Sequence, residues 1–75
     1  MAGLPVRAVP AIGPVREAQL NQNGIMDASQ IYGQFLWMKR NEEMFIGWFR
    51  QQCRIGPIGA KHCYNAFLEY SEQNL

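Results

Sequence analysis

The stretch DASQIYGQFLWMKRNEEMFIGWFRQQC, residues 27–53, decides the fold class. Asp27 followed three residues later by Gln30 reads as an N-cap with its capping-box partner, a pairing that satisfies amides orphaned at a helix start. From there Ala28, Ile31, Tyr32, Phe35 and Met38 recur at the spacing of one helical face. Lys39 and Arg40 place positive charge at that helix's C-terminal end, where the macrodipole favours it. Asn41 then caps a second helix, with Glu42 and Glu43 in its first turn and Met44, Phe45, Trp48, Phe49 and Cys53 along its stripe. Two amphipathic helices joined by a short turn follow from this stretch.

Working outward, the punctuation falls at helical lengths. Pro5 opens a short helical turn over Val6 to Val9, which Pro10-Ala11-Ile12-Gly13 breaks. Pro14 suits the first position of the next helix, which carries Val15, Ala18 and Leu20 and stops at Asn23-Gly24. Downstream, Arg54 to Gly59 reads as a loop, and Pro57 starts a last helix with Ala60, Cys63, Ala66, Phe67 and Tyr70 on its apolar face. No stretch alternates with period two. The expectation is an all-α chain of five short helices, one domain over residues 1–75, with a hairpin unit at 5–23, a central pair at 28–53 and a C-terminal helix at 57–72.

Composition bounds the partners. At 75 residues and 48% hydrophobic, the chain is globular and has room for one marginal core. Its four Phe, two Trp and three Tyr are more aromatic surface than a small monomer easily buries, which points to a second chain. A net charge of +1 means that affinity for nucleic acid must come from local placement or be weak. Two cysteines make no disulfide framework, and Pro5, Pro10 and Pro14 interrupt the N-terminus. With no long apolar run, the expectation is a reducing nuclear or cytosolic setting without membrane insertion.

Catalytic and metal readings fare poorly. Cys53, His62 and Cys63 fall short of a four-ligand zinc set, and adjacent His62 and Cys63 point to different helix faces, so buried thiols and a surface histidine are expected. Glu42 and Glu43 do not converge and are explained as dipole-complementing residues. No metal, no cofactor and no enzymatic activity are expected. Trp37 lies off the Ile31–Phe35–Met38 stripe, which favours an interface over the core.

The segment before the central pair carries the binding chemistry. Two short helices joined by Ala11-Ile12-Gly13 form a helix-hairpin-helix, which aims backbone N–H groups and a helix N-terminus at a phosphate. Such a contact reads the DNA backbone without sequence preference and weakens with salt.

The run Gly33-Gln34-Phe35-Leu36, then Lys39-Arg40-Asn41-Glu42-Glu43, Phe45, Trp48 and Cys53, resembles the barrier-to-autointegration factor family. Pro5-Val6, Ile12-Gly13, Gly24, Cys63 and Glu69 extend the similarity along the chain. The resemblance implies a homodimeric SAM-like domain that binds double-stranded DNA and offers a groove to LEM-domain proteins of the inner nuclear membrane. It places Ala11, Ile12, Gly13, Val15, Arg16 and Lys61 toward DNA, and Gly33, Gln34, Trp37, Met38 and Met44 at the dimer and partner groove.

Departures from the family pattern fall on the DNA side. The chain begins where the family's first helix has already finished, a segment that carries basic residues in the family. Ala11 stands at a glycine position, Pro14 offers no N–H, Ala18 and Gln19 stand where lysines are usual, and Ile58 replaces a basic residue. The expectation is a divergent, N-terminally short member in the nucleus, on chromatin or at the envelope, with the cytoplasm as a second compartment. It would retain weakened DNA binding and bridge to a protein partner. The alternative is an adaptor that has lost DNA binding and pairs with itself, with a family paralogue or with another nuclear protein.

Overall fold

The computed structural model describes residues 4–73, so the ends of the expected domain lie outside the described residues. A single 3-10 turn (Val6–Ala8) is followed by α1 (Pro14–Gln22), α2 (Ala28–Trp37), α3 (Glu42–Cys53) and α4 (Pro57–Gln73). The all-α class holds. The first of the five expected helices, a short turn over Val6 to Val9, is a 3-10 turn that ends at Ala8, because Pro10 drives Val9 out of the helical region, to φ −76° and ψ 135°.

The local signals behave as read. Gln30 N donates to Asp27 Oδ1 at 3.2 Å and Asp27 N to Gln30 Oε1 at 3.1 Å, closing the capping box of α2. The Ser29 hydroxyl, donating to the same carboxylate, is the main reason Asp27 titrates below its ordinary value. A carboxylate favoured in the folded state stabilises above its unfolded pKa, near 3.9, and that contribution is lost as pH falls through the lower folded value. Wild type should therefore lose more stability than Asp27→Asn across that acid range in urea titrations. Equal acid losses would refute the role of the cap charge. At α3, Met44 N donates to Asn41 Oδ1 at 2.9 Å. Asn41→Ala should lower stability by about 1 kcal/mol, read from a thermal melt. Gly24, at φ +81°, ends α1, with Ile25 N reaching back to the Leu20 carbonyl at 2.9 Å.

The core is aromatic. Phe35, Phe45, Phe49 and Phe67 are fully buried with Leu20, Ile31 and Val6. Phe35 sits at their centre, its ring centroid 5.7 Å from Phe45, 5.6 Å from Tyr64 and 5.9 Å from Phe67. On α4 the buried stripe is Ala60, Cys63, Tyr64, Phe67 and Ser71. Ala66 and Tyr70, expected on that face, are half-buried because they flank the stripe. Trp48, read as core, is also half-buried and packs against Phe45 and Phe49.

Three ties hold the outer segments to this core. Ala28 N donates to the Leu4 carbonyl at 2.9 Å, strapping the chain's start to α2. The Tyr64 hydroxyl donates to the Arg40 carbonyl at 2.7 Å, securing a turn in which Lys39 and Arg40 are both left-handed. Cys63 Sγ donates to the Pro10 carbonyl at 2.9 Å, fixing the hairpin to α4. Both thiols are buried and free, and His62 is exposed. Burial pushes Cys63 up to about 12, with Cys53 adding to the rise, and burial raises Cys53 as well. Cys63 thus keeps its proton in the folded chain at pH values where the unfolded chain releases it, so stability falls as pH rises from about 9 toward 12.

Candidate nucleic-acid interface and partner face

The hairpin is anchored from beneath by Val6, Val9 and Ile12, all buried, so its polar backbone stays at the surface. The side chain of Ile12 belongs to the core, which leaves only its backbone open to a ligand. Ala11 takes φ +70°, the left-handed conformation that costs a residue with a Cβ about 1 kcal/mol. Ala11→Gly should relieve that strain and raise the unfolding midpoint without changing helicity. Gly13 caps α1 in an extended conformation, Pro14 is the first helical residue, and Glu17 N closes the first turn on the Gly13 carbonyl at 2.9 Å. The amides of Val15 and Arg16 are left without an intrahelical acceptor and face outward from the helix start. Val15 itself is 70% exposed.

A second helix start repeats this construction. Ile55-Gly56-Pro57-Ile58 matches Ile12-Gly13-Pro14-Val15 residue type for residue type. Ile55 is buried, Ile58 is 76% exposed, and Ala60 N closes on the Gly56 carbonyl at 2.9 Å. The two starts are neighbours, since a Cβ on Gly59 would lie 3.7 Å from that of Ala11. The repeat is visible in the sequence, but its spatial pairing is not, because Gly56 lies 43 positions after Gly13.

Of the basic side chains near this surface, Arg7 and Lys61 are ion-paired and Arg16 is half-buried. Lys61 does not join the hairpin. Gly59 and Cys63 are the α4 residues that meet Ala11 and Pro10, whereas Lys61 turns toward α3 and pairs with Glu42 Oε1 at 2.5 Å. Its ammonium also lies 5.6 Å from the centre of the Tyr64 ring. Arg16 is half-buried, and its Nε is enclosed with no hydrogen-bond partner. Its charge acts on the buried thiols, favouring their ionised forms against the larger effect of burial. Arg7, which the reading of the sequence passed over, lies in the 3-10 turn and pairs with Glu17 at 3.7 Å.

The second candidate surface flanks the α2–α3 turn. Gly33, Leu36 and Trp37 share the solvent face of α2, Leu36 48% and Trp37 76% exposed. Met44 (52% exposed) and Gly47 lie three residues apart on α3. Gln34 is exposed as well. Open space surrounds both glycines, so a second backbone can approach them closely. Met38, expected in this set, is 7% exposed and packs in the chain's own core. Its place seven residues after Ile31 puts it back on the buried stripe.

Among the described residues, no helix is long and apolar enough to cross a membrane, and no three of the His, Cys, Asp and Glu side chains converge as metal ligands would.

A sequence profile described as Barrier to autointegration factor matches residues 1–74. The chain is 29% identical over 73 residues to Barrier-to-autointegration factor 1 of Caenorhabditis elegans, covering 97% of this chain and 82% of the relative. It is 29% identical over 75 residues to the Barrier-to-autointegration factor of Drosophila melanogaster, covering 100% and 83%. Against the Homo sapiens protein of the same name it is 28% identical over 72 residues, covering 96% and 81%.

Proposed function

Because this chain belongs to the barrier-to-autointegration factor family, we propose that it is a small, non-enzymatic, chromatin-associated nuclear dimer that touches the DNA backbone weakly and bridges to a protein partner. The observation that carries the DNA half is the pair of adjacent helix starts at Gly13-Pro14-Val15 and Gly56-Pro57-Ile58. Their first-turn amides and positive dipole ends suit phosphate oxygens and ignore base identity. Ala11, Ile12 and Gly13 contribute backbone, Val15 its amide and Arg16 its charge, while Lys61 contributes its charge when released from Glu42. Such binding is weak because each start lacks the N–H that its proline removes, and because the nearby cations are paired or half-buried.

The test is a mobility-shift titration on duplexes of unrelated sequence at low and moderate salt. Affinity that falls with salt and ignores sequence is expected. Val15→Glu is the discriminating variant. An acid in the first turn of α1 suits the helix dipole and leaves the core untouched, yet it sets a negative charge against the phosphate. Binding should be lost with thermal stability retained. Unchanged binding in Val15→Glu would falsify the hairpin contact.

The exposed Trp37–Met44 face favours the second half of the reading, and the adaptor alternative if DNA binding is absent. We place a second copy of this chain or a family paralogue there, with a LEM-domain or other nuclear protein in the groove that the pair creates. A chain that shows no duplex binding at low salt and remains dimeric by light scattering is an adaptor.

A further inference from the structure

Two ion pairs link neighbouring elements. Each joins a cation on one element to a carboxylate on another: Arg7 of the 3-10 turn to Glu17 on α1, and Lys61 of α4 to Glu42 on α3. Glu17 is 21% exposed and Glu42 44%, so both carboxylates sit in the surface layer, where a phosphate would arrive. Glu42 stands in the first turn of α3, whose dipole favours its charge and helps to hold it in place. Lys61 stands two residues after Gly59, which lies against Ala11, and this contact holds its ammonium on the α3 side of α4.

We propose that Glu17 and Glu42 are built-in counter-ions that occupy Arg7 and Lys61 in place of DNA phosphates, so that these two carboxylates set the chain's affinity for duplex DNA. The proposal rests on the hairpin surface being the DNA face. A carboxylate and a phosphate oxygen compete for the same ammonium or guanidinium donors, so each pair removes a cation from the count that governs affinity. Arg16, half-buried beside the thiols, does not replace them. Exposed ion pairs contribute little to stability, so neutralising the acids leaves the fold in place.

The experiment compares Glu17→Gln/Glu42→Gln with Glu43→Gln/Glu72→Gln, two doubles that change the net charge equally but remove the acids from different places. Glu43 and Glu72 are exposed, and neither takes part in the two pairs. The first double should bind a duplex on the order of tenfold more tightly at low salt, with a log–log salt slope steeper by about two units. The control double should gain far less. Adding Arg7→Gln and Lys61→Gln to the first double should abolish its gain. A wild type with no detectable binding beside a first double that binds would support the proposal in its strongest form. Equal gains in both doubles would overturn it, since net charge alone would then set affinity. Binding by wild type with no gain in the first double would also overturn it, leaving the hairpin reading intact. No binding by wild type or any variant would sink both.

Discussion

Replacing Phe35 with alanine should destabilise the chain by about 3–5 kcal/mol, close to the whole stability that a domain of this size is expected to have. Phe35 has no exposed surface, and its ring meets those of Tyr32, Phe45, Tyr64 and Phe67, so α2, α3 and α4 share it as a common contact. Truncation leaves a void between three helices whose remaining side chains are rings in fixed positions, and such a site collapses poorly. The measurement is the far-UV circular dichroism of the purified variant through a urea titration. Loss of the cooperative transition, or a midpoint shifted by that amount, is expected. Phe35→Leu keeps most of the buried volume and should retain a cooperative transition. An alanine variant as stable as wild type would refute the packing assigned to this ring.

Trp37→Ala and Gly33→Glu should act in the opposite manner, with little effect on folding and a large effect on association. Trp37 is 76% exposed in the single chain, and a Cβ on Gly33 meets no atom within 4 Å, so neither change disturbs the protomer's own core. At the centre of an interface, a truncated tryptophan costs about 2 kcal/mol or more, roughly a thirtyfold loss of affinity. The glutamate places a charge where a partner backbone would come closest, and it should be the more severe of the two. Sedimentation equilibrium over a concentration series gives the dissociation constants, and circular dichroism confirms that helicity is kept. If both variants dimerise as wild type does and still retain every partner, the face flanking the α2–α3 turn is not the interface.

These predictions separate by the range of the interactions behind them. The capping box at Asp27 and Gln30, the cap at Asn41, the glycine stop at Gly24 and the Ile31–Phe35–Met38 stripe each depend on residues within a few positions of one another. Local hydrogen bonds and helical period therefore made the all-α class and three of the element boundaries legible. The same period places Met38 in the core, which its neighbourhood with Trp37 obscures.

Charge pairing was not legible in this way. Lys61 meets Glu42 across 19 residues, and Arg7 meets Glu17 across the hairpin. The sequence displays these groups as a scatter of solvated charges, and several alternative partners stand at comparable separations. Which cation meets which carboxylate follows from how α4 lies against α3 and how the 3-10 turn lies against α1, a matter of packing among distant aromatic side chains. The amino-acid order by itself determined the α-helices, their caps and the buried stripe, because those depend on neighbours along the chain. Tertiary structure alone decided that two Gly-Pro helix starts adjoin, that Lys61 turns toward α3 and that Arg16 is half-buried, because these depend on surfaces that meet only when the core closes.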